Sequence, residues 1–252
     1  MKTSNKKNQV RAGLTIIEVL VVLVIIVVLA GVLMPPSTHN RSRARRISCV
    51  GNLKQISFGL LLFANDNGGK SPFESFNTGS TNIDVTSIPG GWSHDPTNLW
   101  KLFQLAQNDI SSPRVLICPA DSGRQPATDF LSGSGSSSNS FPSSSKRNSA
   151  LSYFLALDAK EARPTSMLVG DRNLARDSDK TDSEPGRNYL TGEQRLGSTA
   201  EETKHLRWNN DIHQRGGNIA FMDGSAQQLT SGKLRESVMN TGDTTNRIWL
   251  PN

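Results

Sequence analysis

The chain has no G-x-S-x-G elbow, no Walker-type phosphate loop and no H-E-x-x-H pair, so the common hydrolase, nucleotidase and zinc-protease arrangements have no foothold in it. It also lacks an internal repeat. A surplus of basic charge over the body of the chain is missing too: Lys2, Lys6, Lys7 and Arg11 account for +4 of the formal +6, leaving 24 basic against 22 acidic side chains in the remainder. Nucleic-acid binding needs basic residues spread over a folded face, so no nucleic-acid partner is expected. With 252 residues, 35% of them hydrophobic, and 21 glycines, the composition fits one domain or two small ones and excludes collagen-like and wholly disordered chains.

What is present is unevenly placed. Val19 to Met34 is an uninterrupted apolar run of 16 residues, and Leu14 to Met34 is broken only by Thr15 and Glu18. A helix of that length spans about 30 Å, one hydrocarbon core. The segment before it is basic and free of acids, which keeps the N-terminus cytoplasmic and places residues 37 to 252 outside. Arg41, Arg43, Arg45 and Arg46 form an equally basic cluster on the far side, so charge alone does not set the topology.

Glu18 is the anomaly. A carboxylate in a membrane helix costs about 2.5 kcal/mol or more at depth and needs a partner. Secretory signals place their small-residue cleavage site after the apolar region, whereas here Ala12-Gly13 precedes it. The stretch Ala12-Gly13-Leu14-Thr15-Ile16-Ile17-Glu18 resembles the processing site of type IV pilins and type II secretion pseudopilins. The resemblance implies that a prepilin peptidase cuts between Gly13 and Leu14 and methylates the new Leu14 amine. Glu18 is then the assembly residue, because a terminal amine of one subunit and a carboxylate of its neighbour each gain by pairing in apolar surroundings. Pro35 falls where pilins commonly carry a helix-softening proline, while Pro36 and Leu14 depart from the usual pattern.

Apolar Ile47, Val50, Leu53, Ile56, Leu60 and Phe63 recur every three or four positions, so Thr38 to Ala64 is expected to continue as an amphipathic helix whose stripe needs a covering sheet. Asn65 to Gly69 stops it with turn formers. Beyond lie weak strand candidates at Arg114 to Cys118, Ser152 to Ala156 and Met167 to Asp171. Ser132 to Ser149 reads as a mobile Ser/Gly-rich loop and Arg172 to Glu202 as a second polar insertion. Gly216 to Leu229 reads as a hairpin with a two-residue turn at Asp223-Gly224, and Ile219, Phe221 and Leu229 on its buried face.

His213 stands ten residues before Asp223, and this H-x9-D-G signature with Gly224 resembles the tail of a prepilin-like family found chiefly in planctomycete-type bacteria. Cys49-x-x-Asn52-Leu53-Lys54-Gln55, Asp66-Asn67-Gly68, Cys118-Pro119 with Asp121, and Arg163-Pro164-x-Ser166 before Asp171 match the same family. The implied fold is α+β and pilin-like: a long N-terminal helix with a transmembrane and an amphipathic half, packed on a small antiparallel sheet with long polar loops. The implied organisation is a leader over 1–13, a membrane segment over 14–36, the helix continuation over 37–68 and an external head over 69–252.

His213 and Asp223 suit a metal or an acid–base pair by type, with His94, His205, Asp211 and Asp121 as further candidates, but nothing in their spacing selects a ligand set. The other reading makes His213 a hydrogen-bonded support of the hairpin and Asp223 a turn former. No cofactor is required; calcium is the metal the resemblance allows for, near Asp211, Asp223 and Asp243. Two cysteines outside the membrane permit one bridge, Cys49 to Cys118; as free thiols they would be small core residues, and Cys49 could instead face a neighbouring subunit. The expectation is a non-enzymatic, single-pass inner-membrane pseudopilin-like subunit. Its partners would be prepilin peptidase, related subunits, an assembly platform with its ATPase, and membrane lipid. The alternative is a membrane-anchored surface or periplasmic binding protein that uses the same processing route.

Overall fold

The computed structural model describes residues 13, 15–32, 38–77, 94–132, 135–176 and 190–252. Residues 1–12 of the leader, Leu14, Pro35 and Pro36 lie outside them. The chain divides into two compact units, Met1–Arg41 and Ser42–Asn252.

In the first unit, helix α1 (Ile16–Val32) carries no charge after Glu18. Every side chain from Ile16 to Gly31 is exposed; Ile16 keeps 88% of its surface and Val27 70%. An all-round apolar surface of this kind is costly in water, at about 25 cal/mol per Å².

Helix α2 (Thr38–Asp66) belongs to the second unit from Ser42 onward. Its buried face is Cys49, Leu53, Ile56, Leu60 and Phe63, all 2% exposed or less, while Ile47 at the head of the expected stripe is 65% exposed and Val50 is half-buried. Cys49 takes the inward position at that turn. Ser42–Asp66 is long and apolar enough to cross a membrane by length and composition, yet its apolar side belongs to the core of the head. Ile16–Gly31 of α1 is a shorter apolar helix, exposed throughout. After Asp66 the chain turns back through Gly68 (φ 69°) and Gly69 (φ 80°), and the Gly69 amide donates to Ala64 O at 2.8 Å, closing the helix.

Gly59 lets the loop at Asp109 and Ile110 reach α2. A Cβ there would lie 2.8 Å from the Asp109 carbonyl oxygen. We expect Gly59→Ala to destabilise the head by about 1–3 kcal/mol, as overpacking does, seen as a lower thermal midpoint. An unchanged midpoint would mean that the loop gives way freely.

After the short helix α3 (Pro72–Asn77) and the fully buried α4 (Leu99–Leu105), the regular elements of the head are mainly strands joined by turns and irregular segments. The strands are β1 (Tyr153–Ala156), β2 (Met167–Asp171), β3 (Leu174–Arg176), β4 (Gly192–Arg195), β5 (Leu206–Trp208), β6 (Gly216–Phe221), β7 (Ala226–Thr230) and β8 (Arg247–Leu250), with α5 (Ala200–Thr203) and α6 (Ser231–Met239) between them. Six form an antiparallel sheet in the order β4-β8-β1-β2-β6-β7, and β3 pairs with β5. The protein is thus mixed α and β, with an N-terminal helix and a small antiparallel sheet. One core joins the buried face of α2 to β1, β2, β6 and β8.

Three local expectations are corrected. Arg114 to Cys118 is no strand: Pro113–Leu116 is a 3-10 turn, started by Ser112 Oγ, which accepts from the Arg114 amide, and by Pro113, whose fixed φ suits a first helical position. The hairpin closes through three residues, Met222 to Gly224, with the Phe221 amide donating to Ser225 O and the Gly224 amide to Phe221 O. Only Gly224 takes a positive φ (77°), because the Met222 and Asp223 amides are claimed by Ser166 O and Pro164 O of the neighbouring loop. The Ser/Gly-rich segment is anchored by Phe141, fully buried and edge-on to both Trp100 and Phe130; one aromatic supplies the apolar surface its serines lack.

Candidate functional site

The densest polar chemistry of the head lies in its interior, under α2. Cys49 on α2 and Cys118, just past the 3-10 turn, are joined by a disulfide with Cα atoms 5.1 Å apart. His213 Nε2 sits 3.3 Å from Cys118 Sγ and 3.3 Å from Asp171 Oδ2, and both the His213 and Asp171 side chains are fully enclosed.

Each group is placed by strong local structure. Asp171 ends β2, and its Oδ2 accepts from the Asn218 amide at 2.7 Å and from Asn218 Nδ2 at 2.8 Å across the β2–β6 pair. His213, Gln214 and Arg215 follow one another at φ 57°, 54° and 64°. Non-glycine residues pay of order 1 kcal/mol or more each for the left-handed region. The turn is held from behind by Asn173, whose Nδ2 donates to Asn209 O, Ile212 O and Gly216 O, and from the side by Arg46, which donates to Gln214 Oε1 at 2.9 Å.

Burial pushes the Asp171 carboxyl up to about 7, against the pull of the Asn218 donors and with the aid of the Asp121 charge. Burial likewise holds the His213 imidazole down to about 4, helped by Arg46 and opposed by Asp121. The two shifts run towards the neutral forms of both groups, and His213 Nε2 and Asp171 Oδ2 meet as a close 3.3 Å contact between buried polar atoms.

A second layer centres on Asp121. Arg172 binds it through Nε–Oδ2 at 2.7 Å and Nη2–Oδ1 at 2.9 Å, and Ser152 Oγ donates to Oδ2 at 2.9 Å. Arg124, three residues after Asp121 in the same loop, donates to the Asn148 and Asn252 carbonyls. Tyr153 is fully buried nearby, and burial raises its hydroxyl well above the ordinary range.

The scattered sequence blocks therefore meet here. Cys49 and Asn52, Cys118 and Asp121, Asp171, and His213 converge on one buried network, with Asn52 Nδ2 donating to Ile117 O. Asp223 takes a different role: its Oδ1 accepts from the Ser225 amide at 2.8 Å in the hairpin turn, where Gly224 follows. The partner that spacing hid was Asp171. The polar run Asp171-Arg172-Asn173 directly after an apolar strand was the available signal, since such groups at a strand end must find partners.

The remaining candidates are dispersed. Gly13 is exposed with open space around it, and Leu14 lies outside the described residues. Glu18 accepts from the Thr15 amide at 2.7 Å and Thr15 Oγ1 at 2.8 Å, and the Glu18 amide reaches back to Thr15 Oγ1, a capping box at the start of α1. His94 meets Glu193 at 3.1 Å. Asp211 is exposed. Among the described residues, the one group of three histidine, cysteine or acidic side chains within metal-ligand reach is Cys49, Cys118 and His213, and not Asp211, Asp223 and Asp243.

Asp243 instead binds Arg163 at 2.8 Å and accepts from the Thr245 and Asn246 amides at 2.7 and 2.8 Å. Burial alone would raise its carboxyl; the Asn246 and Thr245 amides and the Arg163 guanidinium overcome that and bring it down to about 2. A folded value below the unfolded 3.8 gives stability that is fully present above pH 4 and lost as pH falls towards 2. Asp243→Asn should remove about 2 kcal/mol of this acid-sensitive stability. Denaturant titrations at pH 2.5 and 6 would show a smaller gap between the two in the variant; an unchanged gap would place the acid sensitivity elsewhere.

Comparison of the chain with protein-family models, with curated proteins and with solved structures found no match.

Proposed function

We propose that this chain is a pseudopilin-like structural subunit, cut between Gly13 and Leu14 by a prepilin peptidase and built into a type II secretion or type IV pilus-like filament from the inner membrane. The observation that carries the reading is α1: an apolar helix exposed on every side from Ile16 to Gly31, with one carboxylate in its first turn, attached to a separate compact head. Such a helix needs lipid before assembly and other helices after it. Leu14, once freed, offers the amine, and Glu18 of a neighbour offers the charge.

One observation favours the anchored-protein alternative. The Thr15–Glu18 capping box already gives the carboxylate a task within its own helix. The two readings separate on Glu18→Gln, because glutamine keeps the capping box and removes the charge. As a pseudopilin, the Glu18→Gln and Glu18→Val chains are processed normally and drop out of filament-like complexes to background. As an anchored protein, the Gln variant behaves as wild type. Intact-mass spectrometry of the membrane-purified chain supplies the premise: a mature terminus at N-methyl-Leu14 is expected, and a chain keeping Met1, or starting after Ala30, would overturn the proposal.

A further inference from the structure

The disulfide, the imidazole and the carboxylate under α2 form a donor set with a second use. The Sγ atoms of Cys49 and Cys118 and Nε2 of His213 all lie within 4.8 Å of one another, and Asp171 Oδ2 is 3.3 Å from the same nitrogen. All four residues are buried, and Asp171 Oδ1 has no hydrogen-bond partner among the described residues. Two sulfurs, one imidazole nitrogen and one carboxylate oxygen are the donors of a closed tetrahedral zinc site.

We propose that, with its two cysteines reduced, the protein binds one Zn²⁺ through Cys49, Cys118, His213 and Asp171, so that disulfide and metal are alternative occupants of one site. Two edges of the tetrahedron are already in place. Zinc–nitrogen and zinc–oxygen bonds of about 2.0–2.1 Å set those ligands about 3.3 Å apart, and His213 Nε2 to Asp171 Oδ2 is 3.3 Å. With a zinc–sulfur bond of about 2.3 Å, nitrogen and sulfur stand about 3.5 Å apart, against 3.3 Å for His213 Nε2 to Cys118 Sγ. The two sulfurs must part, to about 3.8 Å, by rotation about their Cα–Cβ bonds. The Asn218 donors fix the carboxylate, and Asn173 fixes the turn that presents His213, as outer partners of metal ligands do. Two thiolates and a carboxylate around Zn²⁺ leave one net negative charge, which Arg46 faces from α2, while the Asp121 carboxylate that acts on the same site is itself paired with Arg172.

The test uses the full chain in detergent. A trialkylphosphine reduces the bridge: the S–S bond breaks, the phosphorus gives up two electrons and takes oxygen from water as the phosphine oxide, and each sulfur leaves with a proton. Zn²⁺ then displaces those protons to solvent. After desalting, metal analysis should find one zinc per reduced chain and none per oxidised chain. Cobalt(II) should give thiolate charge-transfer absorption of two-thiolate intensity together with tetrahedral d–d bands. Asp171→Asn and His213→Ala should each weaken zinc by more than the roughly 10–100-fold that outer partners cost. A reduced wild-type chain without stoichiometric zinc overturns the proposal, as does equal zinc in the Cys49→Ser/Cys118→Ser chain. Should His213→Ala fail to fold, the cobalt spectrum of the wild-type chain decides: absorption lacking thiolate charge transfer also overturns it.

Discussion

Removing the Cys49–Cys118 bridge lowers the thermal midpoint of the head by about 10 °C. The two residues are 69 apart in sequence, and releasing a loop of that size returns on the order of 4 kcal/mol of conformational entropy to the unfolded chain. A domain of roughly 200 residues shifts by about 2–4 °C per kcal/mol. Both sulfurs are buried, so truncation adds a packing loss to the entropic one. The comparison is between the oxidised protein and its Cys49→Ala/Cys118→Ala variant, by calorimetry in chelator so that no metal stands in for the bond. A shift below a few degrees would show that α2 is held to the sheet by its apolar face alone, and the entropic argument would fail.

Breaking the Asp121–Arg172 pair costs about as much, by a different route. Asp121 is almost wholly enclosed, at 3% side-chain exposure, and Arg172 is 18% exposed. Taking away one member of a buried pair leaves an uncompensated charge, about 3–5 kcal/mol. Arg172→Met should therefore destabilise by that much, while Arg172→Met combined with Asp121→Asn recovers a large part of it. Ser152 and the Asp121 loop would be read out by the same urea titrations. Additive losses in the double variant would mean that the two side chains act separately, against the paired geometry.

How far these features can be read from sequence depends on the range of the forces behind them. The helix at Thr38, the strands at Tyr153 and Met167 and the hairpin near Asp223 rest on local periodicity and turn chemistry, so they were visible. The 3-10 turn at Pro113 was hidden because an apolar run reads as a strand until its Ser-Pro start is weighed. The Phe141 anchor was hidden because composition averages away a single aromatic among serines. Within the site, His213 and the two cysteines stood out by type, but Asp171 lies 42 residues from His213, and only the β2–β6 pairing brings them together. The neighbour in sequence spacing, Asp223, lies in the turn of the following hairpin, at another task.

The run of positive φ angles at His213, Gln214 and Arg215 sets where the head can vary over evolutionary time. Glycine would relax the backbone at any of the three, so drift alone favours its appearance there. At 215 such a change costs little. At 214 it would release Arg46 from its contact with the turn, and at 213 it would empty the centre of the network. The three positions should therefore diverge unequally among relatives of this chain, with histidine the last to go.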